Sequence, residues 1–209
     1  QAPITLTTTG TGAATLSGTT LNIPTPNSGS SNSAVFLPTI VIGTQQWARL
    51  NLDVVTYRNG DIIPQVTDQA TWNSLTTGAW CYYNNDPANG AIYGKLYNWY
   101  AVNDPRGLAP EGFHVATDKN WSNYIDCLGG TILAGGKMKE AGTNHWAAPN
   151  TDANNISGFN ALPGKSRDEH GFSPTAFIGR AGHWWAATDN YIIPISSTSA
   201  RDYNLNYND

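Results

Sequence analysis

Four histidines, two cysteines and one oxygen-rich string are the groups in this 209-residue chain whose types and spacing invite chemistry. His114, His145, His170 and His183 show no HExxH or comparable pattern, so a histidine-bound metal centre has no signature here. A catalytic nucleophile would need an activating base beside it. His114 in Gly112-Phe-His-Val115 and His145 before Trp146 read as structural side chains, whereas His170 and His183 read as facing ligand or solvent. Cys81 and Cys127 are too few for a disulfide framework and wrongly spaced for zinc, so they either pair or stay as two buried thiols. Asn84-Asn-Asp-Pro-Ala-Asn-Gly90 offers oxygens, yet a hard cation wants six or more, and the same string is what a tight Asx/Gly turn looks like. Gly135-Gly-Lys-Met-Lys-Glu140 lacks the spacing and terminal Lys-Ser/Thr of a phosphate loop. No cofactor and no metal is expected, and the chain does not read as an enzyme.

Composition narrows the partners. Charged residues are 12% of the chain, about half the roughly 25% of an ordinary soluble domain. Net charge is −4 and the 11 basic residues are dispersed, which argues against nucleic acid as the main partner. Eight Trp, ten Tyr and five Phe exclude a disordered chain, because only a packed fold can bury so much aromatic surface. No apolar run approaches the ~20 residues needed to cross a bilayer, so no membrane span is expected.

The elements that must position these groups fall into two stretches. Residues 1–34 form a Thr/Gly/Ser-rich arm and linker with no aromatic and no charge. Short strands are expected there around a Ser17-Gly18 turn, followed by a flexible run from Pro24 to Ser33. With so few large apolar side chains this arm must lie on something else: the main domain, a longer shaft, or symmetry mates in a homotrimer. Residues 35–209 form the main domain. Val35–Ile42 reads as a strand, and Asn59-Gly60 as a hairpin turn between Val54–Arg58 and Asp61–Ile63. Asp68–Leu75 reads as a short helix. A second helix spans Thr117–Leu128, capped by Thr117 and ended by Gly129, with Trp121, Tyr124, Ile125 and Leu128 on one apolar stripe. The class is α+β, with few helices and much loop.

Several strings are more specific than composition explains: Gly43-Thr-Gln-Gln-Trp47, Thr56-Tyr-Arg-Asn-Gly60, Tyr93-Gly-Lys-Leu-Tyr-Asn-Trp-Tyr-Ala-Val102, Arg106-Gly-Leu-Ala-Pro-Glu-Gly-Phe-His-Val115, Gly135–Glu140, Ser157-Gly-Phe-Asn-Ala-Leu-Pro-Gly164 and Trp184-Trp185. In this order they resemble the Fibrobacter succinogenes major paralogous domain, a relative of the C-type-lectin-like and formylglycine-generating-enzyme folds. The resemblance covers roughly residues 36–190. It implies a C-type-lectin-like fold with two short helices, a small twisted antiparallel sheet and an irregular C-terminal region that presents ligand-contacting residues. The formylglycine-generating relatives are oxidases that rely on C-terminal-pocket cysteines, and nothing after Cys127 is a cysteine. The N-terminal arm resembles the shaft repeats of tail-fibre proteins from phages of Bacteroidetes.

The stretch from Asp189 to Asp209 carries Asn, Tyr, Ser, Asp and Arg, the residues of adaptable recognition surfaces. Asn204, Asn206 and Asn208 share one face of an alternating segment. The arrangement resembles the variable proteins of diversity-generating retroelements, in which most variable codons begin as AAC-like triplets. Randomising their adenines cannot give Lys, Glu, Gln, Met or Trp, and none of the five occurs in this stretch. The implied variable surface, about residues 166–209, comprises Ser166, Asp168, His170, Arg180, Ala181 and His183, then Asn190, Tyr191, Ile193, Ile195 and Ser197. Arg201, Asp202, Tyr203, Asn204, Asn206 and Asn208 complete it. Lys165 and Glu169 stand as framework. The expected role is a diversified, non-enzymatic receptor-binding tip of a phage fibre or a surface adhesin, on the virion or at the cell surface. Its expected partner is a bacterial cell-surface protein or glycan. The rival is a secreted Bacteroidetes hydrolase or oxidase.

Overall fold

The computed structural model describes residues 37–172, 179–188 and 191–196, together with three short strands at 5–7, 15–17 and 20–22. The chain divides into two units, Gln1–Val35 and Phe36–Asp209.

In the first unit, β1 (Thr5–Thr7), β2 (Thr15–Ser17) and β3 (Thr20–Asn22) form one sheet in the order β1-β3-β2. β2 and β3 pair as an antiparallel hairpin and β1 runs parallel to β3. Each strand opens Thr-Leu, a β-branched residue followed by an apolar one, and Leu21 stands in register with both Leu6 and Leu16.

The second unit is mixed α/β, built from short helices and small antiparallel sheets. β4 (Thr39–Ile42) and β5 (Gln45–Ala48) form a hairpin turned at Gly43, whose φ of 59° suits a residue without Cβ. The Asn59-Gly60 turn forms, with Tyr57 N–H donating to Asp61 O, but its flanks make only the single bridge Thr56–Ile62 instead of two full strands. α1 (Gln69–Asn73) is capped by the Asp68 carboxylate. β6 (Trp80–Cys81) leads through a 3-10 turn into α2 (Pro87–Tyr93), and β7 (Leu96–Tyr97) returns beside β6. The string Asn84–Gly90 is therefore a turn only in its first half, where Asn84 and Asn85 have φ of 54° and 55°. In its second half Asp86 caps α2 and Pro87 occupies its first position.

α3 (Trp99–Val102) starts on Asn98, whose amide oxygen accepts from both Ala79 and Ala101. α4 (Asp118–Cys127) has the capping box that Thr117 and Asn120 can form, and Gly129 and Gly130 follow it with φ of 97° and 87°. All four residues of its expected stripe are buried. α5 (Ala134–Met138) is a helix across the Gly135-Gly136 pair. The described residues thus hold five α-helices where two were expected. β8 (Arg167–Asp168) and β9 (Gly171–Phe172) form a small hairpin, and β10 (Ala181–Ala186) pairs antiparallel with β11 (Tyr191–Ser196). Among the described residues no helix is long and apolar enough to cross a membrane.

Two hydrophobic clusters fill the unit. One gathers α4 and α5 with Trp47, Trp146, Phe159, Ala186 and Ile195; the other gathers Tyr57, Ile63, Trp80, Tyr97, Ala101, Val102 and Leu108. β10 serves both by its two-residue alternation: Trp184 and Ala186 pack with the first cluster, Trp185 and, just past the strand, Ala187 with the second. The indoles are fixed by donated hydrogen bonds as well as by packing. Trp184 donates to Asn51 Oδ1 at 3.0 Å, Trp185 to Tyr97 O at 2.9 Å, Trp121 to Trp185 O at 3.1 Å and Trp146 to Ala161 O at 2.8 Å. A buried indole with a satisfied N–H loses its freedom to reorient, so this frame is rigid.

Candidate binding site

The β8–β9 hairpin shows how the sequence separates support from display. The Arg167 guanidinium lies over the rings of Trp72 and Phe172, 4.5 and 4.7 Å from their centroids. It donates to Gln69 Oε1 at 2.9 Å, Val66 O at 2.8 Å and Thr67 O at 3.0 Å. Gln69 in turn donates to the backbone carbonyl of Asp168 at 2.8 Å, and Asn73 donates to that of Glu169 at 2.7 Å. α1 therefore holds the tip by its main chain, while Arg167 ties the start of the hairpin to Val66, Thr67 and Gln69. The side chains of Asp168, Glu169 and His170 point to solvent, 59%, 58% and 84% exposed. These side chains contact the tip itself: Asp168 Oδ1 accepts from His170 N–H at 2.8 Å, and His170 Nδ1 lies 3.4 Å from Glu169 Oε1.

These three side chains bring ligand-type atoms within 4.8 Å of one another. One exposed turn supplying three groups falls well short of the six or more oxygens a hard cation takes.

Of the other expected site residues, Ser166 is half-buried, Arg180 is exposed and Ala181 is half-buried at the start of β10. Tyr191 and Ile193 lie in β11, paired with Ala186 and Trp184 of β10. Asn190, Ser197, Arg201, Asp202, Tyr203, Asn204, Asn206 and Asn208 lie outside the described residues. Ile195 requires a correction. It is fully buried in the first cluster, opposite Gly182, so it holds the sheet to the interior and cannot meet a partner. No side chain fits at Gly182 itself, where a Cβ would stand 2.6 Å from Leu162 O.

His183 also departs from a purely exposed reading. It is half-buried in the wall of a cavity of about 530 Å3 that lies between the two clusters, and its Nδ1 is buried with no hydrogen-bond partner among the described residues. Burial, and then the nearby positive charge of Lys165, push its pKa down to about 4, so it is neutral at physiological pH. Lys165, assigned to the framework, is itself buried at 5% exposure and shares that wall. Of the other two histidines, His145 is half-buried and pairs with Glu140 at 2.9 Å, whereas His114 is exposed and meets Asn120 Oδ1 at 3.0 Å.

The cysteines do not pair, and they differ. Cys81 is buried and burial raises its thiol pKa, while Cys127 is exposed, against the expectation that unpaired thiols would both be interior. A disulfide-forming reagent should accordingly label one thiol per native chain and a second only after unfolding; rapid labelling of both would contradict this burial pattern.

No curated protein and no solved structure matches the chain. A family model does, the Fibrobacter succinogenes major domain, aligned over residues 40–201, which takes in both clusters, the β8–β9 hairpin and the β10–β11 pair. On that match the chain belongs to the Fibrobacter succinogenes major domain family.

Proposed function

We propose that the chain is a non-enzymatic binding protein of C-type-lectin-like fold, diversified as retroelement variable proteins are, and acting as the receptor-binding tip of a phage fibre or as a surface adhesin. The observation that carries this reading is the division of labour in the β8–β9 hairpin. Its supporting side chains Gln69 and Asn73 grip the carbonyls of the tip, and a grip on carbonyls is indifferent to what side chains the tip displays. Such a frame tolerates sequence change at 168 and 170 while keeping the backbone in place, which is the physical requirement of a diversified surface. Arg180, at the start of β10, is exposed in the same manner. A bacterial cell-surface protein or glycan is the partner this surface suits, with weak individual contacts reinforced by multivalent display.

Two measurements test the reading. The triple variant Asp168→Ser, His170→Tyr, Arg180→Asn should unfold within about 1 kcal/mol of the parent, since exposed substitutions cost little, while its profile on an array of bacterial surface glycans and proteins changes. In the source genome, a near-copy of the coding sequence for about residues 166–209 should lie beside a reverse-transcriptase gene and differ chiefly at adenines. A destabilised triple variant, or no such copy, would refute the diversified surface.

A further inference from the structure

The cavity between the two clusters, of about 530 Å3, is in the size range that takes a small organic ligand. One side is a continuous wall of rings from the first cluster. Trp47 packs on Trp121 with centroids 4.7 Å apart, Trp121 on Phe159 at 6.0 Å, and Phe159 on Trp184 at 6.0 Å. The other side carries Tyr97 and Trp185 of the second cluster. These rings are pinned in place. Trp47 donates to Gln45 Oε1 at 3.2 Å, the Tyr97 hydroxyl donates to Val54 O at 2.7 Å, and the indoles of Trp121, Trp184 and Trp185 each donate as well. Leu50, Gly112 and His114 on the lining are exposed, so the cavity opens to solvent.

The polar side chains along the lining have little left to offer a ligand. Asn51 accepts from Trp184 and donates to Tyr93 O at 2.8 Å, Gln45 is occupied by Trp47, and Lys95 is paired with Asp53. Lys165 has a contact of its own, and His183 is uncharged at physiological pH. A sugar would need several open donors and acceptors converging on it, and a buried ion would need an unmatched opposite charge. This lining answers to neither. It offers ring faces, which favour another ring over an aliphatic chain of equal area. Because those rings are already held, little ordering is left to oppose binding.

We propose that this cavity is a binding site for an uncharged, planar aromatic molecule of two or three rings, which lies between the ring wall of the first cluster and Tyr97 and Trp185 of the second. The site is separate from the β8–β9 hairpin and does not depend on that surface being variable.

The probe is N-phenyl-1-naphthylamine, titrated against the intact chain. It should bind one per chain, quench tryptophan emission and raise the melting temperature. Its charged counterpart, 1-anilinonaphthalene-8-sulfonate, should bind about tenfold more weakly or worse, since its sulfonate would be buried without a partner. In competition, 2-naphthalenemethanol should displace the dye about fivefold better than 1-octanol, which has similar apolar area but no ring. The indole N–H signals of Trp47, Trp121, Trp184 and Trp185 should shift in heteronuclear spectra, while those of Trp72 and Trp146, which lie off the lining, stay in place. Val115→Trp puts a larger side chain on the lining and should weaken the dye at least fivefold. No saturable binding of the uncharged dye, a sulfonate that binds as tightly, octanol competing as well as the naphthyl alcohol, or shifts centred on Trp72 or Trp146 would each overturn the proposal. So would a folded Val115→Trp that binds as the parent does. The dye contrast and the indole shifts of the unmodified chain decide the matter even if that variant does not fold.

Discussion

Replacing Lys139 with methionine should lower the unfolding free energy by about 2 kcal/mol at pH 7, because it strands two carbonyls that bond a fully buried amine. Lys139 is fully buried, yet its Nζ donates to Thr151 O at 2.8 Å and Ser196 O at 3.0 Å, and it lies 5.7 Å from the Trp146 ring. It thus ties the end of β11 to the loop after α5. Methionine keeps the apolar stem and removes the donors. The pH dependence has a definite sign. Burial, opposed by Asp152, pushes the amine down to about 8 from its ordinary 10.5. Below about pH 8 it is charged in both folded and unfolded chains and adds no slope. Between 8 and 10.5 the unfolded chain keeps a proton that the folded chain has released, so the folded state gains as pH rises. A neutral amine still has two N–H groups for the two carbonyls. The stability gap between parent and Lys139→Met should therefore widen from pH 7 to pH 10, by at most about 1.4 kcal/mol per unit of depression. Taking the difference cancels Lys165, which acts in the same sense, and Cys81, which acts in the opposite one. Urea unfolding at each pH measures it; a gap that is absent at pH 7 or that narrows on raising pH would show that Lys139 does not act this way.

Gly179→Ala should cost about 3 kcal/mol, roughly 1 from the backbone and 2 from crowding. Gly179 has a φ of 79°, and a Cβ there would stand 2.8 Å from both Ala147 N and His145 O. These are main-chain atoms of a tethered segment: Ala147 N–H donates to Gly179 O at 2.8 Å, Trp146 is fully buried and His145 is held by Glu140. They cannot yield without disturbing the first cluster. Gly60→Ala is the control, since its φ is 93° but nothing lies within 4 Å of the added Cβ. It should cost about 1 kcal/mol. Equal losses for the two variants by thermal unfolding would show that the close approach at Gly179 carries no energy.

What could be read in advance was local. α4 was legible because its cap, its stripe and its terminating glycines all lie within fourteen residues and agree. The Asn59-Gly60 turn was legible for the same reason. α2 carried a usable signal, Asp86 followed by Pro87, but Asn89 and Gly90 made the same string look like a turn. α5 carried almost none. Its two glycines lower helix propensity, and Gly136 is there because a Cβ would stand 2.8 Å from Asp152 O, a contact fixed by tertiary structure. The candidate site divided along the same line. Exposure of Asp168, His170 and Arg180 followed from their chemistry. Ile195 was misplaced because it was assigned with the whole C-terminal stretch through its resemblance to variable proteins, while its burial follows from its place opposite Gly182 across the sheet. The buried roles of Lys139 and Lys165 could not be read at all, since both depend on carbonyls or charges brought in by distant segments.

The alternation of β10 bears on the order in which the molecule can be assembled. Trp184 reaches back 133 residues to Asn51 and Trp185 reaches back 88 to Tyr97, so one strand near the end of the domain supplies the missing piece of two separate interiors. Neither interior is sealed until that strand arrives. A chain growing from its N-terminus therefore carries two half-built apolar basins through most of its synthesis, and it offers sticky surface to its neighbours for that whole interval. Both basins then close in a single late event.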